Sequence, residues 1–276
     1  HRGLNGLSHR FHQFLRHTIL PEKTQETTRP IVFNSWEAVY FHHDQEELCR
    51  MASKAASLGF ERFVLDDGWF HDRNDDTRAL GDWRTDRKKY PQGLALLIAH
   101  VKQTGMEFGL WVKPEMISPN SELYRAHPDW VLELEGFPRI TGRQQLLLDL
   151  CRQDVTAYLF QRLDDILSAH DIAYLKWDMN RILTMAGHMG FAAFHCQTRA
   201  LYTLIDQIRQ AHPTVEIETC ASGGGRVDFE ILKRTDRFWT SDSNDPFRRQ
   251  MIQKGVSIFF PPEITGSHIG PANCHT

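Results

Sequence analysis

Short apolar runs alternate with amphipathic segments along most of the chain. Eight of these runs are continuous rather than alternating in polarity, as in strands that are buried on both faces of a sheet. They predict strands at 31–36, 62–67, 107–112, 144–150, 173–178, 214–219, 237–242 and 256–260.

Amphipathic helices are predicted between these strands. Residues 46–58 place Leu48, Met51, Ala52 and Ala55 on one face, and Gly59 ends the segment. The same kind of pattern predicts helices at 94–104, 154–168, 191–212 and 245–254.

Successive units of strand and helix favour a (β/α)8 TIM barrel over an open doubly wound sheet, because few open sheets hold eight similar units. No helical pattern follows the eighth run, so we expect an α/β barrel that is truncated at its C-terminus and lacks its last helix. Residues 1–29 are predicted as a lead-in helix or arm, and residues 30–276 as the incomplete barrel.

The charge and the cysteines limit the partners and the compartment. The 276 residues carry a net charge of -3, which gives no basis for binding nucleic acid or an anionic membrane. No apolar run has the length of a transmembrane helix, and the N-terminus lacks an initiator Met and the apolar core of a signal peptide, so we expect a fragment or a processed product. The odd number of scattered cysteines predicts free thiols and a cytoplasmic location. These cysteines are Cys49, Cys151, Cys196, Cys220 and Cys274.

Two carboxylates end predicted strands. Asp178 follows the fifth strand and Asp242 the seventh, and the carboxyl ends of barrel strands are where catalytic residues lie. Two carboxylates at one rim with aromatic neighbours indicate glycoside hydrolysis. Lys176 shares a strand face with Asp178, because side chains alternate along a strand, and a nearby cation favours the ionised carboxylate.

Other residues near strand ends fit a sugar pocket less specifically. Asp66 and Asp67 either form a turn with Gly68 or accept hydrogen bonds from neighbouring sugar hydroxyls, and the residues alone favour neither interpretation. Trp36 and Trp111 stand near strand ends, where several Trp side chains together indicate an aromatic-lined pocket. The glycine run in residues 220–226 (CASGGGR) lacks the spacing of a phosphate loop. Because glycine has no side chain, the run favours instead a close approach of the backbone to a ligand.

Histidines give no metal-binding pattern in the sequence. His9, His12 and His17, or His42 and His43, lack the spacing of a zinc site and are predicted as surface residues. We therefore expect no metal site.

A series of ordered motifs resembles one known family. The chain is similar, from about Leu4 to its last residue, to the catalytic barrel of the bacterial α-galactosidases of glycoside hydrolase family 36 (clan D). The resemblance rests on NSWEA (34–38), LDDGWF (65–70), GDW (81–83), YPQGL (90–94), GLWVKPEM (109–116), HPDW (127–130), KWDMNR (176–181), CASGGGR (220–226) and WTSD (239–242).

The resemblance implies a role for each matching residue. Asp178 matches the family nucleophile and Asp242 the general acid/base of a retaining double displacement, which needs no cofactor. Asp66 and Asp67 match the carboxylates that hold O4 and O6 of galactose. The other residues that match the sugar pocket are Trp36, Trp111, Arg143, Lys176, Asn180, Cys220 and Gly223.

The implied substrate is an α-galactosyl oligosaccharide of the raffinose or melibiose type, and the full-length relatives imply a homo-oligomer. Lys113 and Pro246 depart from residues that many relatives carry, and the β domains that flank the barrel in relatives are missing here. Three alternatives stay open: a transglycosylase of the raffinose-synthase type, an α-N-acetylgalactosaminidase, and an inactive carbohydrate-binding fragment.

Overall fold

The computed structural model describes residues 3–22 and 28–270. The chain divides into two compact units: a larger unit of residues 30–175 and 179–215, and a smaller unit of residues 1–29, 176–178 and 216–276. Across the described residues, every helix is too short or too polar to cross a membrane. The predictions for Cys274, for the tail 271–276 and for residues 1, 2 and 23–27 of the lead-in segment lie outside the described part of the chain.

Parallel strands with helices between them build the larger unit. The strands β1 (Val32–Asn34), β2 (Arg62–Leu65) and β3 (Glu107–Val112) follow one another in the sheet, and β3 is followed by β6 (Tyr174–Trp177), which ends in the smaller unit. The register places Phe63 opposite both Phe33 and Phe108. All four residues of β2 are buried, which explains why its sequence shows no alternation.

The helices of the larger unit are α2 (Trp36–Val39), α3 (Gln45–Ser57), α4 (Ala95–Gln103), α5 (Glu122–Ala126), α6 (Gln153–Ala169) and α7 (Phe194–Ala211). Local residues explain where α3 begins and ends. The carboxylate of Asp44 accepts a hydrogen bond from the N–H of Glu47 at 2.8 Å and so caps α3. Gly59, at a φ of +88°, lets the chain leave the end of that helix.

The smaller unit repeats the strand–helix rhythm. Its strands are the end of β6, then β9 (Glu216–Thr219), β10 (Arg237–Trp239) and β11 (Thr265–Gly266), and they are neighbours in this order. The helices are α1 (Gly3–Phe14), continued by a π-helical turn (Leu15–Ile19), α8 (Phe229–Leu232), α9 (Pro246–Val256) and a 3-10 turn (Pro262–Ile264). Strand β10 pairs in parallel with both β9 and β11.

The predicted lead-in helix packs within the smaller unit. The ring of Phe11 meets that of Phe259 edge-to-face at 5.3 Å between centroids. A ring nitrogen of His12 lies 2.9 Å from the carbonyl oxygen of Ser257, and Arg16 forms an ion pair with Glu263. These contacts fix α1 and its π-helical turn against the chain that follows α9.

The prediction for the fourth strand is wrong in its pairing. Of residues 144–150, the two-residue strand β5 (Leu146–Leu147) pairs antiparallel with β4 (Met116–Ile117) and lies outside the parallel order. A tight turn precedes it, in which Arg143 and Gln144 have φ values of +51° and +56°. This turn reverses the chain direction, so that the apolar run pairs with the segment that follows β3.

The prediction for the eighth strand is also wrong. Val256 is the last residue of α9, and residues 257–260 form turns that pack Phe260 against Phe238 at 5.0 Å between ring centroids. The strand that pairs with β10 is β11 instead. A short apolar run fits a buried helix end as well as a strand, and periodicity alone cannot separate the two. Of the other six predicted strands, 107–112 is present with the predicted bounds and five are present with shorter bounds.

Candidate active site

Asp178 directly follows β6 in the smaller unit, and this residue is only 4% exposed. The carbonyl oxygen of the preceding Trp177 accepts hydrogen bonds from the N–H of Cys220 at 2.8 Å and from Nη2 of Arg226 at 3.3 Å. Arg226 also donates from Nε to Oγ1 of Thr219 at 3.0 Å. Arg226 thus joins the ends of β6 and β9 beside Asp178.

The thiol of Cys220 marks the place where the predicted catalytic residues converge. Burial raises its pKa well above the ordinary value, and the negative charges of Asp178 and Asp242 raise it further. The positive charge of Lys176 and a hydrogen bond from the backbone of Gly223 act in the opposite direction. Charge effects of this kind fall with distance, so both carboxylates and Lys176 lie near the thiol of Cys220.

The two carboxylates differ in their access to solvent. Asp178 is buried, whereas Asp242 is exposed in the segment that follows β10. This segment is fixed by Thr240, whose hydroxyl lies 3.0 Å from the carbonyl oxygen of Gly266 and 2.9 Å from Oε1 of Gln253. One carboxylate is therefore enclosed by protein and the other can meet water.

Arg249 is a cation near Asp242 that no sequence pattern indicates. Its guanidinium donates from Nη1 to the carbonyl oxygen of Ser241 at 2.7 Å, and the residue is 4% exposed. Burial lowers the pKa of Arg249, and the negative charge of Asp242 partly offsets that effect. The ring of Trp239 lies beneath two cations, because Arg249 and Lys176 are each 5.4 Å from its centroid. The only sequence feature that could have pointed to Arg249 is its position, seven residues after Asp242.

Gly223 has a backbone reason for being glycine. Its φ is +94°, and a Cβ atom there would lie 2.6 Å from the Cα of Ser241. The glycine run was expected to allow a ligand close to the backbone. In the structure, the backbone at Gly223 also approaches the chain that leads into Asp242, and a Cβ there would be strained.

In the larger unit, Asp66 and Asp67 follow β2 and are both buried. Nδ2 of Asn34 donates to Oδ2 of Asp66 at 2.6 Å, and the N–H of Asp66 donates to Oγ of Ser35 at 3.0 Å. The N–H of Asp67 donates to Oδ1 of Asp66 at 2.9 Å. Gly68 follows at a φ of +116°, so the segment is both a turn and a pair of buried carboxylates.

Asp67 is held by an arginine that was not among the predicted site residues. Arg73 is fully buried and donates from Nε and Nη2 to the two carboxylate oxygens of Asp67 at 2.9 and 2.7 Å. Burial lowers the pKa of Arg73, but the ion pairs with Asp67 and Asp76 outweigh burial and raise that pKa overall. Arg73 lies in a loop without periodic pattern, so no signal in the sequence marks it.

Asp76 connects this pair to Arg143. Its carboxylate accepts hydrogen bonds from Arg73 at 3.1 Å and from Nη2 of Arg143 at 3.1 Å. Nε2 of Gln145 lies 3.5 Å from the same carboxylate, and Nζ of Lys113 lies 3.4 Å from Oε1 of Gln145. Of the predicted sugar-binding residues in this unit, Asp66, Asp67 and Arg143 are therefore linked through charged side chains.

The remaining predicted sugar-binding residues have different surroundings. Trp111 is 3% exposed, and its ring lies 6.5 Å from the rings of both Phe70 and Trp83. Trp36 lies two residues beyond the end of β1, at the start of α2, and is half-buried. Asn180 is half-buried in the segment that follows β6. Trp111 thus belongs to an aromatic cluster of the core, whereas Trp36 and Asn180 retain exposed surface.

The histidines that were predicted at the surface mostly make hydrogen bonds within the fold. The rings of His12 and His17 bond to Ser257 and Gln13, as expected for residues near the surface. The prediction is wrong for His43, which is 7% exposed and bonded to the hydroxyl of Tyr90 at 2.7 Å. Burial first, and then the charge of Lys89, lower the pKa of His43 to about 4.

Comparison with known proteins shows which family this chain is similar to. The Melibiase family model matches residues 1–276. Alpha-galactosidase of Escherichia coli is 54% identical over 273 residues, and the match covers 99% of this chain and 38% of that protein. Alpha-galactosidase AgaA of Geobacillus stearothermophilus is 42% identical over 280 residues, and the match covers 99% of this chain and 38% of that protein.

Solved structures agree with the sequence comparison. The crystal structure of AgaA matches with a TM-score of 0.94 at 42% identity, over 98% of this chain and 39% of that chain. A variant of AgaA in complex with stachyose matches with a TM-score of 0.95 at 42% identity, over 99% of this chain and 39% of that chain. The chain thus spans less than two fifths of the length of these relatives.

Proposed function

The chain belongs to the Melibiase family, and from this premise we propose that the protein is a retaining α-galactosidase. It hydrolyses terminal α-galactosyl residues of oligosaccharides of the raffinose and melibiose type. The observation that carries the proposal is that Lys176, Asp178, Cys220 and Asp242 lie in or after the neighbouring strands β6, β9 and β10, near enough for their charges to act on the thiol of Cys220.

Asp178 is the nucleophile in this proposal. Its carboxylate attacks the anomeric carbon and forms a covalent galactosyl-enzyme as the bond to the leaving oxygen breaks. Burial of Asp178 keeps water from competing for the carboxylate, and the positive charge of Lys176, two residues before Asp178, opposes the negative charge of that carboxylate.

Asp242 is the general acid and then the general base. Protonated, it gives its proton to the leaving oxygen in the first step, and in the second step it takes a proton from the attacking water. Two displacements at the same carbon restore the α configuration. The exposure of Asp242 supports this role, because a group that exchanges protons with water in every turnover needs access to solvent.

Substrate specificity is assigned to the charged cluster of the larger unit. Asp66 and Asp67 accept hydrogen bonds from O4 and O6 of galactose, and their burial supports this role, because charge-assisted bonds are stronger away from water. Other contacts to the sugar are assigned, from the family resemblance, to Trp36, Trp111, Arg143, Lys176, Asn180, Cys220 and Gly223.

The fold-level proposals follow the same family. Residues 30–276 form a (β/α)8 barrel after the lead-in residues 1–29, and the parallel strand order within each unit supports this. The protein acts as a cytoplasmic homo-oligomer without a cofactor. The free thiols of Cys49, Cys151, Cys196 and Cys220 support a reducing compartment.

Azide rescue of two glycine variants tests the mechanism. In the protein at its full natural length, Asp178→Gly should lower turnover of p-nitrophenyl α-galactoside by more than about 1,000-fold, because no nucleophile remains. Azide should restore turnover and yield the β-galactosyl azide. Asp242→Gly should be slowest on substrates with poor leaving groups, and azide should give the α-galactosyl azide.

A matched control is Asp129→Gly, which removes an aspartate with a 62% exposed side chain and should leave turnover near that of the wild type. Wild-type turnover in Asp178→Gly would overturn the nucleophile assignment. An α-galactosyl azide from Asp178→Gly would exclude the double displacement.

A further inference from the structure

Three metal-binding side chains of different chemistry meet in the larger unit. Asp149, Cys151 and His188 each offer one ligand atom, and these atoms all lie within 4.8 Å of one another. The first two residues follow β5, and the third lies in β7 (Gly187–His188), which pairs antiparallel with β8 (Phe191–Ala192). Because His188 lies 37 positions after Cys151 (188 − 151), the sequence contains no recognisable metal motif.

The three residues are already in contact. Nδ1 of His188 lies 2.6 Å from Oδ2 of Asp149, and Oδ1 of Asp149 accepts a hydrogen bond from the N–H of Cys151 at 3.1 Å. The side chain of Asp149 is 6% exposed and that of His188 is 25% exposed. The group is thus buried at Asp149 and reachable by an ion from solvent at His188.

A second thiol borders the group. Cys196, an exposed residue in the first turn of α7, lies close enough to Cys151 to raise the pKa of that thiol. The sulfur of Cys151 also lies 4.0 Å from the carbonyl oxygen of Ala193. The potential ligands therefore come from three places along the chain: the segment after β5, the β7–β8 hairpin and the start of α7.

We propose that Asp149, Cys151 and His188 bind one zinc ion. One sulfur, one nitrogen and one carboxylate oxygen form a ligand set that suits zinc, whereas calcium and magnesium prefer oxygen ligands alone. Bonds of about 2.0 Å to nitrogen and oxygen and about 2.3 Å to sulfur put tetrahedral ligands roughly 3.3–3.7 Å apart. To reach these distances, the His188–Asp149 pair opens slightly and the sulfur approaches.

The fourth position of the tetrahedron falls to water or to the thiol of Cys196. Zinc bound there joins the segment after β5 to the β7–β8 hairpin, so it stabilises the folded chain and takes no part in sugar cleavage. The inference is thus independent of the proposed α-galactosidase activity. Oxidation of Cys151 and Cys196 to a disulfide would consume one ligand, so the site requires reduced thiols.

Zinc titration of the reduced protein at its full natural length tests the site. A phosphine reductant keeps the thiols free, and a chromophoric chelator that competes for zinc reports affinity and stoichiometry. We expect one zinc per chain. Cys151→Ser and His188→Gln should each weaken zinc binding by more than about 100-fold, beyond the 10- to 100-fold that loss of an outer-shell partner costs. Cobalt in place of zinc should show a thiolate charge-transfer band that Cys151→Ser abolishes.

Two controls separate this site from adventitious binding. Cys49→Ser removes a partly exposed thiol on α3, and a double variant His9→Gln with His17→Gln removes histidines near the N-terminus. Both should bind zinc as the wild type does. Asp149→Asn provides a second ligand variant and should weaken binding by at least about 10-fold. The thermal melting of each variant in chelator shows whether it folds.

Three results would overturn the proposal. They are zinc affinity unchanged in folded Cys151→Ser, a cobalt spectrum of the wild type without the thiolate band, and loss of zinc in the histidine control alone.

Discussion

The guanidinium of Arg73 donates two hydrogen bonds, of 2.9 and 2.7 Å, to the carboxylate of Asp67, and both side chains are buried. The pair turns a carboxylate at a strand end into a fixed acceptor. Both of its oxygens keep one lone pair for a further donor. The position of Asp67 is therefore set before any ligand binds.

Arg73→Ala should destabilise the protein by about 3–5 kcal/mol, because it leaves a buried carboxylate without its cation. Arg73→Lys keeps the charge but loses the paired geometry, so it should retain more stability. If Asp67 binds galactose, Arg73→Lys should raise KM for an α-galactoside more than it lowers kcat. Urea unfolding and steady-state kinetics measure the two effects.

Arg78→Ala is the control for Arg73. Its guanidinium lies 3.3 Å from Oδ1 of Asp72, and the side chains of this pair are 32% and 44% exposed. The free energy of unfolding should change by less than about 1 kcal/mol. Equal losses of stability in Arg73→Ala and Arg78→Ala would show that the buried pair contributes no more than a surface pair.

His43 should make the stability of the fold depend on pH between 6.5 and about 4. Its pKa is about 4 in the folded protein and 6.5 ordinarily, so the unfolded chain binds the proton more tightly. Stability is then fully present above 6.5 and is lost as the pH falls toward 4. A difference of 2.5 pKa units, 6.5 − 4, corresponds to about 3 kcal/mol.

His43→Gln should remove this acid-sensitive part of the stability. The free energy of unfolding of the wild type should fall between pH 7 and pH 4 by about 3 kcal/mol more than that of the variant. His42→Gln changes the exposed neighbour of His43 and should keep the wild-type pH dependence. Parallel stability curves for wild type and His43→Gln would contradict the burial argument.

Strands were easier to predict from the sequence than the partners beside which they lie. Residues 62–65 and 107–112 were predictable because a continuous apolar run between turn residues is typical of a buried strand. Residues 256–260 were not, because the same composition suits a helix end. The last helix was expected to end at residue 254, but α9 continues through Gly255, which has no positive φ.

The residues of the candidate site also divide into those that the sequence indicates and those that it does not. Asp178 and Asp242 could be found because each follows an apolar run, and their common neighbour Cys220 follows a third. Arg73 and Arg249 could not be found, since each acts through hydrogen-bonded partners that only folding places beside it. Sequence patterns locate the ends of elements, whereas side-chain pairs across loops depend on the three-dimensional fold.

Phe11→Ala should show how far α1 stabilises the fold. Its ring packs edge-to-face against Phe259 in the smaller unit, and it is half-buried. Loss of the aromatic pair and of part of the buried area should lower the free energy of unfolding by about 1–3 kcal/mol. Leu4→Ala, at a position 57% exposed on the same helix, should cost less than about 0.5 kcal/mol. Equal losses of stability in Phe11→Ala and Leu4→Ala would show that the ring contact of Phe11 does not stabilise the fold.

Gly223→Ala should impair catalysis by displacing the chain that carries Asp242. The new methyl group would lie 2.6 Å from the Cα of Ser241, and the φ of +94° disfavours any L side chain. Backbone strain of this kind costs about 1–3 kcal/mol, and part of it should appear as a shift of residues 240–242. We therefore expect kcat for an α-galactoside to fall by about 10-fold or more while the protein still unfolds cooperatively.

Gly255→Ala is the matched control, because no atom lies within 4 Å of a Cβ at that helical position. It should leave kcat unchanged and raise the free energy of unfolding by roughly 0.5–1 kcal/mol. If Gly223→Ala kept wild-type kcat, the close approach of Gly223 to Ser241 would have no part in positioning Asp242.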